Sequence, residues 1–339
     1  MRHYAAIDLH STNGYLGMIN EEGRGIFCKR VPNDLSAYLE ALAPHKHTVT
    51  GIVVESTFNW YWLVDGLQDN GYKVHLANPA GIQQYRGLKH QDDKSDAFFL
   101  AELFRLNILP EGYIYPKATR PLRDLLRKRL WLIHNKTRHL LSLKSFIARH
   151  TGKQLSSNTI KKMTPEDLET YVTDEHLQCI GQADISMHQF YQQEIQAIEK
   201  KILAQIKPNP TFTRLKTVPG IGRILAMTIY LETGDINRFP KAGNYASYCR
   251  CVQSNRISNG KKKGCGNRKN GNVYLGWAYI EAAQFMKRYA AYARRYYQRK
   301  RQRRNGAVAA KSLAAKIAKA CYYIMRDKVV FDHKLMFHP

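Results

Sequence analysis

Five short apolar runs within the first 77 residues constrain this chain more than any other feature. His3–Leu9 is apolar into Asp8, Gly14–Asn20 alternates, and Gly25–Arg30 follows a Glu21-Glu22-Gly23 turn signal. Pro32-Asn33-Asp34 then opens a helix with apolar positions at Leu35, Tyr38, Leu39 and Leu42. Thr48–Val54 is a further strand running into Glu55, Phe58–Leu67 is helical, Gly71 breaks it, and Lys73–Ala77 is the fifth strand. The predicted order is three strands, helix, strand, helix, strand.

Acids punctuate this pattern. Asp8 and Glu55 stand at the ends of the first and fourth strands. Downstream, Lys89-His90-Gln91-Asp92-Asp93-Lys94-Ser95-Asp96-Ala97 opens a helix that continues to Leu106, with Asp93 and Asp96 on one face. The order is that of a ribonuclease-H-like α/β domain. In such a sheet the central strands lie side by side, so these carboxylates can converge. Divalent magnesium takes oxygen ligands, and phosphoryl transfer can use two ions held by shared carboxylates. The plainer reading makes Asp8 and Glu55 strand-end turn residues, and Asp93 and Asp96 a helix cap with first-turn charge.

The rest of the chain is of a different kind. Formal net charge is +26, and residues 206–339 hold 28 basic against 5 acidic side chains, whereas residues 1–110 hold 10 against 12. That imbalance calls for an anionic partner of high charge density, nucleic acid before membrane. No signal peptide and no apolar run near the ~18 residues of a membrane span is present, which predicts a cytoplasmic protein. Six cysteines form no CxxC pair; Cys249, Cys251 and Cys265 match no standard zinc spacing and read as reduced thiols. A long amphipathic helix runs from Thr119 to about Arg149, a polar interval from Thr151 to Thr164 reads as a joint, and Ile185–Gln205 is coiled-coil-like. Lys207-Pro208-Asn209-Pro210 marks a boundary. The predicted domains are therefore 1–115, a helical middle over 116–206, and a mainly α basic domain over 207–339.

Three features of the basic domain suit nucleic acid. Val218-Pro219-Gly220-Ile221-Gly222 opens a helix in a helix-hairpin-helix-like manner, offering backbone N–H groups around Gly220 and Gly222 to phosphates; the plainer reading is an αα-turn with glycines for close packing. The glycine-rich segment from Gln253 to Gly271 reads as a loop carrying Arg256, Lys261, Lys262, Lys263, Arg268 and Lys269 with no acid. A serine there can bind phosphate or, with cations and a metal to stabilise its alkoxide, act as nucleophile. Finally, helices over Asn272–Arg304 and Ala307–Met325 close the domain, and the first interleaves Arg294, Arg295, Arg299, Lys300, Arg301, Arg303 and Arg304 with Tyr289, Tyr292, Tyr296 and Tyr297.

With Ala6-Ile7-Asp8, Val54-Glu55, Asn78-Pro79, Asp93-Lys94-Ser95-Asp96-Ala97, Val218–Gly222 and Phe239-Pro240 in this order, nearly the whole chain resembles the IS110/IS1111 group of insertion-sequence transposases, DEDD enzymes related to the Piv-type DNA invertases. The resemblance implies an N-terminal RuvC-like domain, a coiled coil and a C-terminal transposase domain. It implies Mg²⁺ (or Mn²⁺) on Asp8, Glu55, Asp93 and Asp96, and a serine, by motif Ser258, that attacks donor and target DNA chosen by a structured bridge RNA. The strand exchange it implies needs several cleavages, hence a homo-oligomer, dimer or tetramer. Two departures leave alternatives open. The family's Lys-Thr-Asp-x-x-Asp-Ala becomes Asp92-Asp93-Lys94-Ser95-Asp96-Ala97, so Asp92 competes with Asp93; the Ser-Gly-Gly loop becomes Ser258-Asn259-Gly260, so Ser254 is the second candidate nucleophile. Rival readings are a Holliday-junction-type nuclease using metal-activated water, and a non-enzymatic nucleic-acid-binding protein.

Overall fold

The computed structural model describes residues 1–82, 85, 93–205, 209–252, 255–265 and 270–337. Two compact units are present, one over Met1–Lys117 together with Asn270, and one over the remaining described residues from Ala118 onward.

In the first unit, β1 (His3–Leu9), β2 (Asn13–Ile19) and β3 (Gly25–Pro32) form an antiparallel meander. Asp34 caps α1 (Leu35–Leu42) by accepting a hydrogen bond from the Ala37 N–H. β4 (Val49–Glu55), α2 (Tyr61–Asp69) and β5 (Val74–Ala77) follow, then a short α3 (Pro79–Ile82) and α4 (Asp93–Arg105). The strand order is β3-β2-β1-β4-β5, with β4 parallel to both β1 and β5. Both faces of the central strands are covered, which is why these runs read as continuously apolar. Ile7, Leu16, Ile52 and Val54 pack with Leu63 and Leu67 of α2 and Tyr38 of α1 on one face. Ala6, Val53 and Ala77 pack with Leu100 and Ala101 of α4 on the other.

Among the described residues, the regular structure of the second unit is helical apart from one hairpin. α5 (Arg120–Thr151) and α8 (Glu175–Ala204) run antiparallel, as the pairs Arg129–Glu199 (Nε to Oε1, 2.7 Å) and His139–Asp184 (Nδ1 to Oδ1, 2.8 Å) require. The polar interval between them is built rather than loose. It carries α6 (Ser157–Lys162), capped by Ser156, and buries Ile160 and Met163 against Leu143 and Ile147 of α5; α7 (Pro165–Glu169), capped by Thr164, follows it and adds Leu168 to the same cluster. The expectation of a joint failed because these apolar residues are scattered singly among polar ones, and only the tip of the helical pair gathers them.

The other end of the pair enters a larger core. Leu126 of α5 and Ile202 of α8 pack with α9 (Pro210–Leu215), α10 (Arg223–Thr233) and α11 (Ala242–Tyr248). Beyond the hairpin β6 (Asn255–Ser258) and β7 (Lys261–Cys265) come α12 (Val273–Tyr289), α13 (Ala291–Arg303), α14 (Gly306–Asp327) and a short α15 (His333–Phe337) that the sequence pattern did not announce. The helix expected from Asn272 to Arg304 breaks at the extended residue Ala290, where Arg294 donates to the carbonyls of Lys287 (3.2 Å) and Arg288 (2.7 Å) and closes the end of α12. A buried hydroxyl chain, Thr233–Tyr245–Tyr279 at 2.8 and 2.7 Å, ties α10, α11 and α12 together. Among the described residues no helix is long and apolar enough to cross a membrane.

Candidate functional site

In the first unit the acids occupy one corner. Ile7 pairs with Val54 across parallel β1 and β4, so Asp8 and Glu55 are the next residues on neighbouring strands. Side chains alternate along a strand; Asp8 and Glu55 therefore share the face of Ala6 and Val53, the face that α4 covers. The direction of α4 follows from its contacts. Ala97 lies on Gly17, opposite Ala6, in a space that a Cβ on Gly17 would fill at 3.1 Å. Phe104 lies at the other end of the strands, against Tyr4 (5.7 Å between ring centroids) and His75 (4.4 Å). The start of α4, with Asp96, consequently points to the end of the sheet where Asp8 and Glu55 stand.

Asp8 is buried, at 3% exposure, while Glu55 and Asp96 are half-buried. Asp93 begins α4, but its side chain, like the whole of Asp92, lies outside the described residues. Among the described residues no three His, Cys, Asp or Glu side chains stand close enough to form a metal site as they are set here. What the fold supplies is a common face and a common end for Asp8, Glu55 and Asp96.

Sequence reasoning passed over His10. Its Nε2 lies 3.4 Å from Asp8 Oδ2, and its carbonyl accepts from the side-chain amides of Asn33 (3.0 Å) and Asn59 (2.9 Å). These long-range clamps hold the loop after β1 in place. Tyr38 completes the surroundings: burial first, and the Asp8 charge second, push its phenol well above the usual value.

In the second unit the expected basic loop is a β-hairpin. Asn259 and Gly260 both take positive φ (49° and 69°), the two-residue turn that Asn-Gly favours between strands. That dipeptide was the available signal. Ser258 is exposed at the end of β6, directly across from exposed Lys261, and Lys263 is exposed further along β7. The side chains of Arg256 and Lys262, and all of Ser254, Arg268 and Lys269, lie outside the described residues. Cys249 and Cys251 are buried thiols, with Cys251 Sγ donating to the Cys249 carbonyl at 3.3 Å; Cys265's side chain is not described.

The glycine turn divides its labour. Gly220 has φ +92°, and a Cβ there would meet the Ala282 carbonyl at 2.6 Å and the Met286 nitrogen at 2.7 Å, so this glycine serves close packing on α12. Gly222 caps α10 with open space where its Cβ would be. Beside it, Lys216, Arg223, Phe285 and Tyr289 line a cleft of about 540 Å³. The tyrosines of the basic helix also split. Tyr292 stacks on His333 and Tyr296 donates to or accepts from Ser312 Oγ at 2.7 Å, whereas Tyr289 is exposed.

A second feature that the sequence reading missed is a buried ionic cluster. Glu232, 1% exposed on α10, accepts from Arg123 Nε (3.0 Å), Arg127 Nε (2.5 Å) and Nη2 (2.9 Å), and Asn272 Nδ2 (2.7 Å). Burial pushes its carboxyl up, but the Arg127 hydrogen bond, the two guanidinium charges and the Asn272 amide outweigh it and hold the group below the usual range. The one signal was an acid inside an apolar helix of a domain nearly without acids.

Comparison with known proteins matches two stretches of the chain, the first of which extends from the first unit into the second. The sequence pattern of the DEDD transposases of the IS110 group matches residues 5–181, and that of the transposase IS116/IS110/IS902 family matches residues 212–298. The transposase for insertion sequence element IS1111A of Coxiella burnetii is 22% identical over 80% of this chain and 74% of its own length. A probable family 20 transposase of Pseudomonas aeruginosa is 24% identical over 80% of this chain and 82% of its own. The putative transposase y4qE of Sinorhizobium fredii is 22% identical, and there the match spans about half of the relative, 55%.

Proposed function

The chain belongs to the IS110 family of insertion-sequence transposases, and we propose that it cuts and rejoins DNA by serine transesterification, on strands chosen by a structured guide RNA. The observation that carries this reading is the shared corner of Asp8, Glu55 and the start of α4. The order β3-β2-β1-β4-β5, with β4 parallel to β1, supports a RuvC-like, ribonuclease-H-like identity for that unit.

The donor chemistry fits a hard divalent cation, since Asp8, Glu55, Asp93 and Asp96 offer only carboxylate oxygens. Magnesium or manganese held there would neutralise charge developing on the scissile phosphate. Ser258 Oγ attacks the phosphorus, a serine–phosphate ester forms, and the bond to the leaving strand's deoxyribose oxygen breaks, that oxygen taking up a proton. Attack by another strand's hydroxyl reverses the exchange and restores the serine, so no bond energy is lost to water. Lys261, directly across the hairpin, favours the deprotonated oxygen. Arg256, Lys262, Lys263, Arg268 and Lys269 hold the DNA backbone, as does the start of α10 at Gly222, while Gly220 packs that turn on α12. The charge of the second unit serves DNA and guide RNA alike, and several cleavages in one reaction call for a dimer or tetramer.

The test is to trap cleaved DNA in the presence of Mg²⁺ and map the adduct by mass spectrometry. Loss of the adduct in Ser258→Ala supports the assignment; loss only in Ser254→Ala moves the nucleophile there. His10 beside Asp8 favours one second reading, a metal-dependent nuclease in which water attacks. That reading predicts hydrolysed ends, no adduct, and activity in both serine variants.

A further inference from the structure

We infer that Glu232, with Arg123, Arg127 and Asn272, is a positioning cluster that locks the base of the β6–β7 hairpin to helix α5. The inference rests on the reading that this hairpin carries the nucleophile, and it adds residues that the cut-and-rejoin chemistry itself does not use.

The argument starts from the chain leaving the hairpin. Gly271 takes φ +84°, and a Cβ there would meet the Tyr248 carbonyl at 2.5 Å, so only glycine lets the backbone lie this close to the end of α11. The next residue, Asn272, donates its own N–H to that same carbonyl at 2.6 Å. Its side chain then works in both directions. Oδ1 caps α12 by accepting from the N–H groups of Tyr274 (2.9 Å) and Leu275 (3.0 Å), and Nδ2 donates to Glu232.

The chain entering the hairpin is held nearby. Arg250 adopts φ +54°, and the N–H groups of Arg250 and Cys251 donate to the carbonyls of Ser247 (2.9 Å) and Ala246 (3.1 Å). Arg250 and Cys251 before the hairpin and Gly271 and Asn272 after it are thus all held at the end of α11, and Glu232 ties Asn272 to α5 through two guanidinium groups. Arg127 also stacks over the Tyr274 ring, 4.3 Å from its centroid, in the first turn of α12. An acid buried at 1% exposure between two helices and a cap residue costs stability unless each partner is in place. That all-or-none quality suits a register lock. It fixes where the hairpin begins while leaving its exposed tip, with Ser258, free to meet DNA.

Asn272→Ser is the discriminating variant. Serine still caps a helix but is too short to reach Glu232. The readouts are DNA affinity, the rate of covalent adduct formation, and amide hydrogen exchange over residues 252–271. The expected result is unchanged affinity, an adduct rate lowered roughly ten- to hundredfold by misplacement of the attacking group, and faster exchange confined to the hairpin. Arg127→Lys, which keeps the charge but loses the paired contact, is expected to show a weaker version of the same split. Unchanged rate, a rate loss matched by an equal loss of affinity, or a rate loss without faster hairpin exchange each overturns the inference. If Ser254→Ala and Ser258→Ala both retain the adduct, the nucleophile reading fails instead, and the exchange measurement alone decides the lock.

Discussion

Glu232→Gln isolates the energetic role of the buried cluster. Glutamine keeps the shape and one acceptor oxygen, but it turns the other acceptor into a donor facing guanidinium groups, and it removes the buried carboxylate charge that Arg123 and Arg127 contact. Breaking a buried pair by removing one partner costs about 3–5 kcal/mol, because the remaining charge stays desolvated. For a domain of roughly 150–250 residues each kcal/mol moves the melting temperature by about 2–4 °C, so the variant should melt about 6–20 °C below the parent. The assay is thermal unfolding followed by circular dichroism, with Lys117→Ala, which breaks the exposed pair with Asp69, as a control expected to stay within error. A shift for Glu232→Gln no larger than the control's would refute the reasoning, since it would mean that the cluster is screened as a surface pair is. The sign with pH follows from the lowered carboxyl. A group held below its unfolded value stabilises the fold above the usual carboxylate range, and that contribution is lost as pH falls through the folded value. Parent and variant should therefore converge in acid and diverge toward neutrality.

Asp8→Asn should abolish DNA cleavage while leaving thermal unfolding close to that of the parent; retained cleavage would remove Asp8 from the site. Gly220→Ala should destabilise the fold by about 1–3 kcal/mol from its left-handed backbone alone, with a further cost from the Ala282 and Met286 contacts, whereas Gly222→Ala should be near neutral in stability. Native thiol labelling should modify exposed Cys179 first. Cys249, Cys251 and Cys321 should react only on unfolding, because burial pushes all three thiols up, Cys251 and Cys321 to about 12.

Much of the first unit was legible in advance because its signals are local. Period-two alternation marked β2, the Asp34 cap marked the start of α1, and the break at Gly71 separated α2 from β5. The acids were legible for the same reason: each ends a strand or opens a helix. The hairpin was misread as a loop although Asn259-Gly260 spelled its turn, since Asn255 on one arm and Lys261, Lys262, Lys263 and Gly264 on the other carry little strand propensity. The interval from Thr151 to Thr164 was misread because three dispersed apolar residues make no periodic face until α5 and α8 bring a surface to them.

By itself, then, the sequence determined the order of elements in the first 77 residues, the four candidate acids, the cationic second part and the family to which all of these point. Only the tertiary structure decided that Asp8, Glu55 and Asp96 share a face and an end, because strand pairing and the direction of α4 are contacts between residues distant along the chain. The same holds for Glu232. One acid in an apolar helix is an anomaly in sequence; it becomes an ionic lock only where α5 arrives from 105 and 109 residues away with Arg127 and Arg123.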